Sequence, residues 1–381
     1  MTLKRLMIIL GVLVFLAGVG IAWLWQYAYA PQGRARVIIA QLKGDTTSLR
    51  GWMLEYQVVR PGFPIPEDNG NLDYWEIAAA SEEMFKLGRE VQPIVVEAIQ
   101  DDNRDVRMMA IHASGKFRDS AAIQLLVKFM LDTTRADNDK LQCLESLVEI
   151  GPEAYGPLLD ASRKCDLYAM RAIPDMLAAK WGVAAVPHLI ELLEDPDEDV
   201  CWNAARDLGK LKDMRATDAL VRHLNDQREN VAYWSATALG EIGDRKTIPS
   251  LLKMLKEGHI VKWVRISNAG ALARMGQDEG RDYLLTMVKS PDTGDRAEAA
   301  NELGTTEIKG TLGPLLSLLG DSNDYVRERA AVAVGELHDP RAIPGLRKLL
   351  NDPDHLVRRW ADDALKKLGD KPPPASQPGK P

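Results

Sequence analysis

The sequence is poor in cysteine, in aromatic residues and in positive charge, and each shortage removes a class of protein. Cys143, Cys165 and Cys201 are its only thiols, and an odd number without C-x-x-C spacing supports neither a disulfide framework nor a zinc site. Aromatic residues make up 6% of the 381 residues, beside long Ala, Leu and Glu-rich stretches, so an all-α body is expected. A formal net charge of −7 repels a phosphate backbone at long range, and nucleic acid is therefore not an expected partner.

Catalytic motifs are also missing. His112, His188, His223, His259, His338 and His355 show no H-E-x-x-H spacing, and neither a G-x-S-x-G elbow nor a G-x-x-x-x-G-K-[ST] phosphate loop occurs. The acidic turn Glu194 to Asp199 has the charge to attract calcium, but its spacing is not that of an EF-hand loop, and its carboxylates serve better as turn and capping groups. No catalytic residue, metal ligand or cofactor is expected.

One long hydrophobic run stands out. Leu6 to Trp25 is almost wholly apolar, which as a helix would extend about 30 Å, the depth of a bilayer core. Trp23, Trp25, Tyr27 and Tyr29 cluster at its far end, as interfacial rings do. Residues 6–28 are thus expected to be a single-pass transmembrane anchor behind a short tail, 1–5. The competing reading is a cleaved signal peptide ending at Ala28-Tyr29-Ala30, but the run exceeds an ordinary signal core and Pro31 follows the cut. Lys4 and Arg5 predict a cytoplasmic N-terminus, with the rest of the chain on the exported side. Residues 31–90 are expected to form a helical cap containing a second helix near 72–87. The Pro-rich stretch 60–70 within it cannot be helical. Residues 371–381 are too polar and proline-rich to fold.

Between them, residues 91–370 repeat. With Val200 as a marker, equivalent positions fall at Val106, Asp139, Met170, Val231, Val264, Asp295, Val326 and Val357, in steps of 30 to 33 residues. So regular a period predicts a helical solenoid of about nine two-helix units. Pro93, Pro157, Pro187, Pro249, Pro314 and Pro344 open the first helix of a unit, where no amide bond is lost. Asn103, Asp197, Asp292, Asn323 and Asp354, three residues before the marker, are expected to cap the second helix. The marker, a small residue four on (Ala204, Ala330, Ala361) and a Leu eight on (Leu208, Leu239, Leu272, Leu303) form its inward stripe. Gly115, Gly209, Gly240, Gly304 and Gly335 are expected to weaken that helix near its end.

The outline P-x-L-x-x-L-L-x-D-x-D-x-x-V-R-x-x-A-x-x-A-L-G-x-I-x-D resembles HEAT repeats of the short bacterial, phycobilin-lyase-like subtype. The resemblance implies a right-handed α-solenoid that works mostly as an interaction surface. It also implies that Asp101, Asp195, Asp226, Asp321 and Asp352 form a ladder with Arg107, Arg265, Arg296, Arg327 and Arg358 tying neighbouring turns together. Deoxyhypusine hydroxylases of this repeat type carry iron on His-Glu pairs, and no His here is followed by Glu. Phycobilin lyases supply no residue to carry over.

What remains is surface. In such a solenoid the second helix lines the concave side, and large aromatics with Arg are the residue types that anchor interfaces. Trp234, Trp263, Tyr325 and Trp360, with Arg206, Arg274 and Arg329 nearby, are the candidate partner-binding residues. Rings packed between adjacent repeats would be the structural alternative, and Trp202 and Tyr233 are expected to touch each other. The function expected is a membrane-tethered scaffold for a protein or peptide partner. The alternatives are a lyase-like enzyme acting on a pigment or protein-bound cofactor, which would need a reactive cysteine, and a structural spacer in an envelope assembly.

Overall fold

The computed structural model describes residues 31–43, 74–132, 137–165, 171–257, 261–305 and 310–370. Among them every regular element is a helix, and they divide into two units, Met1–Met170 and Arg171–Pro381. The first contains α1 (Pro31–Leu42), α2 (Tyr74–Lys86), α3 (Gln92–Ala98), α4 (Arg104–Phe117), α5 (Ile123–Met130), α6 (Asp137–Ile150) and α7 (Tyr155–Cys165). The second opens with α8 (Ile173–Trp181), α9 (Val186–Leu192), α10 (Glu198–Leu211), α11 (Thr217–Arg222), α12 (Glu229–Ile242), α13 (Ile248–Glu257) and α14 (Lys262–Arg274). It closes with α15 (Asp278–Met287), α16 (Thr293–Gly304), α17 (Leu312–Leu318), α18 (Asp324–Glu336), α19 (Ile343–Leu349) and α20 (His355–Lys367).

Within the second unit, a shorter helix pairs with the longer one that follows, and the longer helices α10, α12, α14, α16, α18 and α20 stack on one another in a single layer. The first unit stacks α2, α4 and α6 in the same manner. The local causes are those the period predicts. Pro93, Pro187 and Pro344 sit in the first turns of α3, α9 and α19. Asn103, Asp197, Asp292, Asn323 and Asp354 each accept an amide hydrogen bond at the start of a longer helix. Val200, Val231, Val264, Val326 and Val357 are fully buried, as are Ala204, Ala330, Ala361, Leu208, Leu239, Leu272 and Leu303.

The glycine column has a packing role beyond the one expected at the helix end. Its members lie in the last turn of their helices, Gly304 as the final residue of α16, and left-handed Arg118, Lys212, Gly243 and His338 follow three residues after Gly115, Gly209, Gly240 and Gly335. A Cβ on Gly209 would lie 2.8 Å from Ala238 Cα, one on Gly240 2.7 Å from Ala271 Cα, and one on Gly304 2.5 Å from Ala333 Cα. Glycine here permits neighbouring long helices to touch at backbone distance, small residue against small residue. This close approach is a role that the period alone does not reveal, beside the expected one at the helix end.

The single-pass membrane localisation is corrected. No described helix is long and apolar enough to cross a membrane. The longest have 14 residues, about 21 Å against a hydrocarbon core of about 30 Å, and each carries charge. The expected anchor, 6–28, its flanking tail 1–5, the loop 60–70 and the tail 371–381 lie outside the described residues.

Candidate functional site

The last joints of the second unit show what a regular repeat does with its charges. Arg296 grips Asp321 with two hydrogen bonds of 2.8 and 2.9 Å, and Arg327 grips Asp352 with the same two distances. A third nitrogen of each donates to carbonyls of its own turn, Ser290 and Pro291 for Arg296, Asp321 and Ser322 for Arg327. Both aspartates are held below the ordinary carboxylate range; for Asp352 the Arg327 hydrogen bond is the main cause, while for Asp321 Arg296 prevails over the opposing effect of burial. These charges work for the stack, as the ladder reading requires.

The ladder stops farther back. Cys201 stands one residue after its marker, where Arg is expected, and its thiol donates to the carbonyls of Leu193 and Asp195. Arg228 reaches back from the next repeat, donating to the Asp195 carbonyl at 3.0 Å and to Cys201 Sγ at 3.1 Å while bound to Asp226. Arg265 has the ladder position in α14, but Ser290 replaces the aspartate it would meet, and its Nε finds no partner among the described residues.

At the joint of α14 with α16 the small-on-small contact is replaced by a buried ion pair. Glu302 occupies the position held by Ala238, Ala271, Ala333 and Ala364 in other repeats, and it is 1% exposed. It fits because residue 270 is Gly; any Cβ there would collide with its carboxylate. Arg274 Nη2 donates to Glu302 at 2.8 Å and to Thr305 Oγ1 at 2.7 Å. Burial nevertheless prevails over the guanidinium and pushes the Glu302 carboxyl up to about 7. In compensation α14 packs tightly on α15, where Gly280 lies against the α14 backbone.

Beside this joint runs a chain of rings. Trp202 stacks on Trp234 at 6.1 Å, Trp234 meets Tyr233 edge-on at 5.3 Å, and Tyr233 meets Trp263 at 5.0 Å. Trp202 and Tyr233 therefore both meet Trp234, where contact with each other was expected. The Tyr233 hydroxyl donates to Glu298 Oε1 at 2.7 Å, reaching from α12 past α14 to α16. Burial and the carboxylates Glu302 and Glu298 hold this phenol protonated well above its ordinary range.

The structure gathers some of the candidate residues and separates others. Arg206 lies 5.3 Å from the Trp202 ring and binds Asp175 at 2.6 Å, joining the Trp234 end of the strip. Trp263 and Tyr325 face one cavity of about 490 Å³ with Asp292, Asp295, Glu298 and Lys262. Arg329 covers the Tyr325 ring at 5.3 Å and donates to its hydroxyl. Arg274 is committed to Glu302. Trp360 packs on the core near Arg359 and shares no described contact with the other rings. Tyr233, Glu298 and Glu302 were not among the candidates. The sequence signal for Glu302 was present, a charge in an Ala column, whereas nothing in the period marks the 65-residue Tyr233–Glu298 pair.

Among the described residues no three His, Cys, Asp or Glu side chains are grouped as metal ligands. Cys143 and Cys201 are buried, and burial pushes both thiols up, Cys201 to about 11, so neither is a thiolate at neutral pH. The reactive cysteine of a lyase-like enzyme is not one of these two; the Cys165 side chain lies outside those described.

Solved structures similar to the chain include the CpcE–CpcF complex of phycocyanin lyase from Nostoc sp. PCC7120, at 19% identity and TM-score 0.36, covering 81% of this chain and 99% of that one. Human deoxyhypusine hydroxylase matches at 18% identity and TM-score 0.31, covering 68% and 98%. Kap95p, from its complex with RanGDP, matches at 11% identity and TM-score 0.48, covering 93% and 58%. No curated protein matches the chain significantly by sequence. The model of HEAT repeats matches residues 74–148, 186–268 and 312–378, more than half the chain, and the chain belongs to the HEAT-repeat family.

Proposed function

We propose that the chain is a binding module that presents the long-helix layer of its second unit to a protein or peptide partner. The observation that carries this reading is the coincidence of two departures from the period. The Arg/Asp ladder stops across α10 to α14, and the aromatic strip runs along those same helices, with the buried carboxylate Glu302 facing its far end from α16. Tyr233 of α12 meets Glu298 of α16 although a whole helix lies between them, which is the geometry of an inward-curving face. We read the layer as the concave side of an α-solenoid. Aromatic rings held rigidly by one another, with Arg beside them, lose little entropy when a partner covers them.

The test is capture by crosslinking in native cells, comparing the parent with Trp263→Ala/Tyr325→Ala. These rings line the cavity, and Tyr325 is 44% exposed, so the fold should survive and its helicity and melting can be checked. A protein captured by the parent and lost by the folded variant is the expected result. Equal capture by both would move the interface elsewhere, and consistent failure to capture any partner would favour a passive spacer.

A further inference from the structure

The cavity at the start of α16 has walls of unequal chemistry, and they select a ligand. Trp263 and Tyr325 supply aromatic faces, whose negative quadrupoles attract cations. Three carboxylates, Asp292, Asp295 and Glu298, face it against a single ammonium, that of Lys262. Two of the three have structural duties. Asp292 caps α16, and Asp295 accepts from Ser290 Oγ at 2.7 Å and Lys262 Nζ at 3.3 Å. The pairing of Asp295 with Lys262 repeats that of Asp139 with Arg104 in the first unit, the same two register positions, so it belongs to the stack. Glu298 is different. It stands a turn beyond the cap, and its Oε1 accepts from Tyr233, whose hydroxyl fixes the carboxylate in place. Trp263 is held in turn by Tyr233 and by an indole N–H donated to Glu229 at 3.3 Å. Arg329 already lies over the Tyr325 ring and is a second cation close enough to interact with Glu298, so three carboxylates stand against two cations and a net negative charge remains.

We propose that this cavity receives a lysine or arginine side chain from a peptide segment of the partner, with the cation against Glu298 and its stem between Trp263 and Tyr325. The volume of about 490 Å³ admits a side chain together with part of its backbone, within the range of roughly 300–1,000 Å³ usual for ligand sites. The excess of carboxylate over ammonium supplies charge complementarity, and a low-dielectric aromatic wall strengthens it. The proposal rests on the reading of the long-helix layer as a binding face, and it names what that face selects.

The probe is a library of short random peptides displayed on phage and selected on the full chain at low salt. Enriched peptides should share a Lys or Arg at one position. A synthetic copy should bind Glu298→Gln about tenfold or more weakly, and replacing its basic residue with norleucine should weaken binding to the parent while costing little further with Glu298→Gln. Gln can still accept from Tyr233, so this variant retains the support of the site. If Glu298→Gln binds the peptide unchanged, or the norleucine peptide binds as well as the original, the proposal is wrong. Peptides without a basic residue that lose binding on Trp263→Ala or Tyr325→Ala would keep the surface and overturn the cation. No enrichment, or enrichment indifferent to all three substitutions, would overturn both.

Discussion

The joints α16–α18 and α18–α20 are built alike, and the joint α14–α16 is not. In the first two, a glycine meets an alanine at backbone distance and a bidentate Arg–Asp pair closes the turn. In the third, Glu302 takes the alanine's place, Arg274 neutralises it from its own side of the joint, and the ladder arginine Arg265 has no aspartate opposite. Periodic residues serve stacking, because each must satisfy the same neighbour in every turn. A residue that leaves the period gives up that shared solution, and its replacement must be held by contacts particular to one joint. The cavity and the ring chain lie where this happens.

The comparison has energetic consequences, the largest in the regular joints. Arg327→Ala removes the partner of Asp352, whose side chain is 5% exposed, together with two carbonyl bonds. It should cost about 3–4 kcal/mol in chemical denaturation, as breaking a largely buried pair does. Arg265→Ala, at the equivalent place in α14, should cost less than about 1 kcal/mol. Equal costs would break the distinction between the joints.

Glu302 gives the next effect, and it depends on pH. Its folded value of about 7 lies above the model carboxyl value of 4.5. The proton is therefore bound more tightly by the folded chain; the stabilisation is complete below about 4.5 and is lost as pH rises to about 7. Glu302→Gln, which cannot ionise, should match the parent near pH 4 and exceed it by up to about 3 kcal/mol at pH 8. A stability difference that does not vary with pH would show that Glu302 keeps its ordinary affinity for protons.

Smaller effects sharpen the same contrast. Tyr233→Phe removes a charge-assisted bond spanning α12 to α16 and should cost about 2 kcal/mol, with protection from hydrogen exchange lowered at both ends. Asn323→Ala removes the cap from the regular helix α18 and should cost about 1 kcal/mol.

Much of the regular architecture was legible in the sequence, because period, caps and buried stripe are written within one unit of about 31 residues. Asn103, Asp197, Asp292, Asn323 and Asp354 could be assigned as caps from their place before the marker, and the resemblance to HEAT repeats implied Arg296 and Arg327 as ladder residues. The glycine column was visible but only half read: its place at the helix end is local, whereas its packing role appears only once the facing Ala238, Ala271 or Ala333 is known. The candidate site was half legible. Trp234, Trp263 and Tyr325 stood out as aromatics off the stripe, while Tyr233–Glu298 and Glu302–Gly270 join residues two turns and one turn apart, which no local rule connects. Trp360 shares the Trp234 column yet serves the core, since column membership fixes direction and not neighbours.

Hydrogen exchange of the full chain, measured with and without a captured partner or selected peptide, tests the central claim most directly. The account predicts new protection concentrated in residues 229–242, 262–274 and 293–304, strongest at the start of α16. Protection confined to the shorter helices 248–257 and 278–287, or to 343–367, would contradict it.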